Sequence, residues 1–100
     1  MLKQESFSQT KKRYFKTLGQ YLPTVERVHG GNHPEIHEVR SIFEVIVRKT
    51  QEAGSQKPEL HEEFTKLREI THGYSVPRDV CESYEAVYRM LGEIDDAYQA

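Results

Sequence analysis

One cysteine in 100 residues leaves no partner for an internal disulfide, which excludes the stapled extracellular mini-proteins and suits a reducing compartment. There is no apolar run long enough to span a membrane and none of signal-peptide type at the N-terminus. The expectation is a cytosolic protein that does not meet a membrane. Tryptophan is missing, and charged residues make up 30% of the chain against 36% hydrophobic, so a core can form only if the apolar residues gather on narrow faces. Strand-like alternation and internal repeats are also lacking. So are a Ser/His/Asp or Cys/His arrangement, a glycine-rich phosphate loop and a pair of catalytic carboxylates. Nothing here marks an enzyme. The net charge of −2 does not supply the basic footprint of a nucleic-acid binder, and Lys11-Lys12-Arg13 alone does not make one.

What is present begins with punctuation. Val28-His29-Gly30-Gly31-Asn32-His33-Pro34-Glu35-Ile36 holds a helix stop and a helix start within a few residues. Glycine can take the positive φ that ends a helix, and proline suits a first helical position because its φ is fixed and it has no N–H to lose. One helix therefore ends near His29 and the next begins near Pro34. So short a connection sets them side by side and antiparallel.

The apolar spacing predicts four helices. The first, about 6–29, carries Phe7, Tyr14, Phe15, Leu18, Tyr21, Leu22, Val25 and Val28 at intervals of mostly three and four. Pro23 interrupts it, but the apolar phase continues past it, which predicts a kink rather than a break. The second, 34–53, carries Ile36, Val39, Ile42, Phe43, Ile46 and Val47, with Glu35 and Glu38 where the helix dipole favours negative charge. Gly54 stops it, and Pro58 opens a third at 58–72, with the thin face Leu60, Phe64, Leu67 and Ile70. His72-Gly73-Tyr74-Ser75-Val76-Pro77 repeats the punctuation. A fourth helix follows at 77–99, with Val80, Tyr84, Val87, Tyr88, Leu91, Ile94 and Tyr98. One hundred residues suit a single domain, and this pattern predicts an all-α, up-down-up-down antiparallel four-helix bundle.

Charge is unevenly placed. Residues 1–28 hold Lys3, Lys11, Lys12, Arg13, Lys16 and Arg27 against Glu5 and Glu26, for +4; residues 77–100 hold Arg78 and Arg89 against Asp79, Glu82, Glu85, Glu93, Asp95 and Asp96, for −4. The first and last segments are expected to attract one another.

His29, His33 and His37 recur every fourth residue, a spacing that could set three imidazoles on one helix face. The glycines and Pro34 break that register. His33 and His37 remain as a candidate metal pair, with Glu35 or Glu38 as a carboxylate neighbour; the plainer reading is a capping His33 and a solvated His37. His61 beside Glu62 and Glu63 is the third metal candidate, set against a plain reading as a solvated face. His72 suits a helix C-terminus. Cys81 adjoins the apolar stripe and two acids, Asp79 and Glu82, which favours a buried, inert thiol. The tyrosines follow helix spacing and read as core and core-edge residues with wetted hydroxyls.

Two stretches carry a family resemblance. Val25-Glu26-Arg27-Val28-His29-Gly30 through His33-Pro34-Glu35-Ile36 is similar to the V-x-x-V-H-G-x-x-H-P-E-L turn of the hemerythrin-like di-iron proteins that repair iron–sulfur clusters after nitrosative and oxidative stress. Leu67-Arg68-Glu69-Ile70-Thr71 through Gly73-Tyr74, Pro77 and Cys81 to Tyr88, Leu91 and Asp95-Asp96 is similar to that family's L-x-x-I-R-x-L-T-x-x-Y-x-x-P-x-x-A-C helix junction and the helix after it. Together the stretches, 25–36 and 67–96, cover about two-fifths of the chain.

The resemblance implies a hemerythrin-like bundle, but the family's iron ligands do not carry over. The ligand of the first helix falls on Ser8, after the aromatic Phe7; that of the second falls on Ala53, with its partner on Lys57. The histidine of the third falls again on Lys57, which implies a deletion, and the final histidine falls on Ala100. His61 could replace one ligand only by a one-turn slip. The expectation is a shortened member of the family without cofactor, acting as an interaction or regulatory module on a protein partner or a second copy of itself. The alternative is a protein that still binds iron or zinc through His33, His37 and His61 in cluster repair or the stress response.

Overall fold

The computed structural model describes residues 6–100. Four helices account for most of them: α1 (Phe7–His29), α2 (Glu35–Ala53), α3 (His61–Ile70) and α4 (Glu82–Gln99). Among the described residues there is no strand. α1 starts at a capping box in which the Gln9 N–H donates to Ser6 Oγ (3.2 Å) and the Ser6 N–H donates back to Gln9 Oε1 (2.9 Å), so two otherwise orphaned donors are satisfied. It runs unbroken through Pro23.

The turn after α1 uses its glycine differently from the expectation. Gly30 keeps a right-handed conformation (φ −58°), so positive φ is not what it supplies. A Cβ there would lie 2.7 Å from His37 Nε2 and 2.5 Å from the Glu26 carbonyl. Glycine is needed because the His37 side chain and the preceding helical turn both crowd it. At the other end of α2, Gly54 does take positive φ (61°) and stops the helix as its position suggests.

The last two helices begin later than their prolines suggest. α3 starts at His61 rather than 58 because the preceding backbone is bound elsewhere: the Tyr98 hydroxyl donates to the Pro58 carbonyl (2.7 Å) and accepts from the Leu60 N–H (2.9 Å). It ends at Ile70, and His72, Gly73 and Tyr74 follow in succession with positive φ (53°, 72° and 64°). α4 starts at Glu82 rather than 77, after a turn at Arg78 and Asp79 and an extended Cys81.

The core is continuous and drawn from all four helices. Leu18, Leu22 and Val25 of α1 meet Ile36, Val39, Phe43 and Ile46 of α2, Phe64 and Leu67 of α3, and Tyr84 to Tyr98 of α4. Each fully buried Leu-sized side chain contributes roughly 1.5–3 kcal/mol. α1 packs along α4, and α2 packs along both α1 and α3. The radius of gyration is 13.2 Å, close to the value of about 13 Å for a compact chain of this length. Two residues of the α1 stripe lie outside this core: Tyr21 is 38% exposed and Val28 63%.

No helix among the described residues is long and apolar enough to cross a membrane.

Candidate functional site

His29, His33, His37 and Cys81 gather at one end, where the α1–α2 turn meets the start of α4, and His61 lies apart from them. His33 lies in the turn with both ring nitrogens engaged by carboxylates, Nδ1 3.2 Å from Glu35 Oε2 and Nε2 2.9 Å from Asp79 Oδ1. His37 turns to a different partner, Glu26, with Nδ1 2.7 Å from Oε2, and Arg40 holds the other Glu26 oxygen. The hydrogen bond to His37, followed by that to Arg40, keeps the Glu26 carboxyl below the ordinary carboxylate range. His33 and His37 therefore serve separate carboxylates and do not face a common point. His61 is exposed at the first turn of α3, and its carbonyl accepts from Thr65.

His29 and Cys81 form a pair that sequence reasoning missed. The Cys81 thiol is exposed rather than buried, with Sγ 3.2 Å from His29 Nε2. The reason is the late start of α4, which leaves Cys81 at the N-cap instead of on the buried stripe. The His29 ring stands edge-on to Tyr84 at 5.3 Å. A thiol beside an imidazole nitrogen pairs a nucleophile with a base, but a working pair needs a third group to orient the base. Among the described residues none hydrogen-bonds the other His29 nitrogen.

Behind the histidines the polar network reaches into the core. The Tyr84 hydroxyl lies 3.3 Å from Glu35 Oε2 and 3.1 Å from the Tyr88 hydroxyl. Burial, then the bond to Tyr88, raises the Tyr84 pKa well above the ordinary phenol value, and burial raises that of Tyr88. Tyr84, Tyr88 and Tyr98 thus find protein partners for hydroxyls expected to be wetted. A second polar knot ties α3 to α4. The buried Asp95 accepts from Arg68 Nε (2.8 Å) and Nη2 (3.2 Å), from the Tyr74 hydroxyl (2.7 Å) and from Gln99 (3.1 Å).

A di-iron centre needs several carboxylates and imidazoles converging inside a bundle. Among the described residues no three His, Cys, Asp or Glu side chains are placed to share an ion. Ser8 is exposed on α1, the Lys57 ammonium donates to the Tyr98 carbonyl (2.9 Å), and the buried Asp95 carboxylate is already taken by Arg68, Tyr74 and Gln99. The described residues do not fit that group.

A different feature lies on the outside, between α1 and α2. Phe15, Phe43 and Val47 form the floor of a trough of about 610 Å³, and Lys11, Lys16, Glu44 and Gln51 stand along it. The Phe15 and Phe43 rings meet edge-to-face at 5.5 Å. A second depression of about 540 Å³ adjoins the first through shared Lys11, Thr50 and Gly54, and continues to Phe7 and Lys57. Helix periodicity placed Phe15, Phe43 and Val47 on core stripes and gave no sign that part of those stripes is left uncovered.

Comparison of the chain with protein-family models, with curated proteins and with solved structures finds no match.

Proposed function

We propose that this chain is a shortened hemerythrin-like bundle, with its helices running up, down, up and down, that works without metal as a protein-interaction module in the cytosol. The observation that carries the reading is the trough between α1 and α2, where Phe15 and Val47, which belong to the helix stripes, stay half-buried along an open groove. The donor set supports the metal-free half of the reading, since each candidate histidine is either held by carboxylates or isolated on the surface. The link to iron–sulfur cluster repair rests on the sequence resemblance alone.

The test has two arms. Protein purified without tag or chelator is expected to hold no stoichiometric iron or zinc and to melt at the same temperature after Fe²⁺ or Zn²⁺ is added. Immobilised wild type is expected to retain from a cell lysate proteins that Val47→Lys, with a charge on the trough floor, does not retain. Stoichiometric metal would shift the assignment to the metalloprotein alternative. Identical sets of retained proteins would remove the trough from the function.

A further inference from the structure

We infer that the trough between α1 and α2 receives an acidic amphipathic helix of a partner protein, a statement that rests on the interaction-module reading and specifies its occupant. The charge on α1 is the first argument. Toward α4, the Tyr14 hydroxyl of α1 donates to Glu93 Oε1 (2.7 Å), on a helix that carries a strong excess of acids. Lys11 and Lys16 lie instead on the trough side. Among the described residues neither ammonium has an ion-pair partner. The acid across from them, Glu44, is already 3.4 Å from Arg40 Nε. The trough therefore joins an apolar floor to two lysines with no ion-pair partner among the described residues, which is the complement of a helix with one apolar and one acidic face.

The shape is the second argument. The two depressions follow α1 from Gly19 back to Phe7, a length of about 18 Å at 1.5 Å per residue, or roughly three turns of a docked helix. The trough is open rather than closed around a chain: a Cβ added at Gly19 or Gly54 would meet nothing within 4 Å. A small polar ligand would need a waiting buried partner. Thr50 offers none, because its hydroxyl already donates to the Ile46 carbonyl (2.7 Å). A second copy of this chain is a poor occupant, since its own acidic helix, α4, has its apolar face buried in the core.

The experiment uses two fluorescent synthetic peptides of about four helical turns. Both carry leucines at helical spacing; one has glutamates at the remaining positions and the other lysines. Anisotropy titration of the full chain should show saturable binding of the acidic peptide and binding of the basic one at least about tenfold weaker. The double variant Lys11→Glu/Lys16→Glu, checked for helix content by circular dichroism, should lose the acidic peptide by at least about tenfold, whereas Lys66→Glu on α3 should keep it. Absence of saturable binding, equal binding of both peptides or an unaffected double variant would overturn the inference. So would a fatty acid that binds where the peptide does not, or a dimer in sedimentation equilibrium that the double variant dissolves. Loss of lysate proteins by Val47→Lys together with no acidic-peptide binding would leave the module reading standing and reject this occupant.

Discussion

The two sides of α1 are built in opposite ways. Toward α4 it is held at both ends and in the middle: Phe7 stands edge-on to Tyr98 at 5.4 Å, the Tyr14 hydroxyl donates to Glu93, and His29 meets Tyr84 and Cys81. Toward α2 it is held by Glu26, His37 and Arg40 near the turn and by the Phe15–Phe43 contact, below which the helices leave an open trough. One side is closed by ring contacts and hydrogen bonds within the chain. The other leaves the half-buried Phe15 and Val47 along an open groove, beside Lys11 and Lys16, which have no ion-pair partner among the described residues.

Neighbouring residues on α2 give the sharpest way to break this contrast. Ile46 is 1% exposed in the core and Val47 is half-buried on the trough floor. Ile46→Ala should lower the unfolding free energy by about 2–5 kcal/mol, and Val47→Ala by about 1 kcal/mol or less, measured by urea unfolding. Equal losses would mean that the trough side is as closely packed as the core. Asp95→Ala comes next, because it strips Arg68, Tyr74 and Gln99 of a shared buried acceptor. Its expected cost is roughly 1.5–3 kcal/mol, and a neutral result would show that α4 does not depend on this knot.

Smaller effects should come from acid and from the trough cations. For Glu63, burial is the largest influence and raises the carboxyl pKa, but the hydrogen bonds from Lys49 and the backbone together with the charges of Lys49 and Lys66 outweigh it; Glu26 is lowered by His37 and Arg40. Both folded values lie below the ordinary 4.5. Their contribution to stability is therefore complete above that pH and lost as pH falls below it. Urea midpoints should be flat through neutrality and decline only in that acid range; a decline beginning near neutral pH would point to other groups. Lys16→Ala should change stability by less than about 0.5 kcal/mol. A larger loss would mean that this cation has a partner within the fold.

Sequence spacing located four helices and most of their buried stripes, because intervals of three and four report which residues share a face. It could not report how much of a face the neighbours cover. Ile46 and Val47 fall on the same stripe, yet one meets the core and the other the trough; Tyr21 and Val28 continue the α1 stripe and are exposed. The start of α3 was displaced from Pro58 by contacts remote in sequence, Tyr98 to Pro58 and Leu60, and α4 starts past Pro77, after a turn at Arg78 and Asp79 and an extended Cys81. That late start of α4 also exposed Cys81 and brought it to His29. Pairs separated by 52 positions, as these two are, leave no periodic signal. The His33 and His37 spacing was legible, but their separate carboxylates were set by the break in helix register at Gly30 and Pro34.

We propose that apolar packing, not metal, organises this bundle and leaves one side of α1 to a partner. Thermal unfolding of untagged protein before and after EDTA, alongside Leu91→Ala, tests it most directly. Leu91 is 1% exposed on α4, and its truncation is expected to cost about 2–5 kcal/mol and lower the melting temperature markedly, while EDTA leaves it unchanged. Unfolding by EDTA together with an unchanged Leu91→Ala melt would contradict the account.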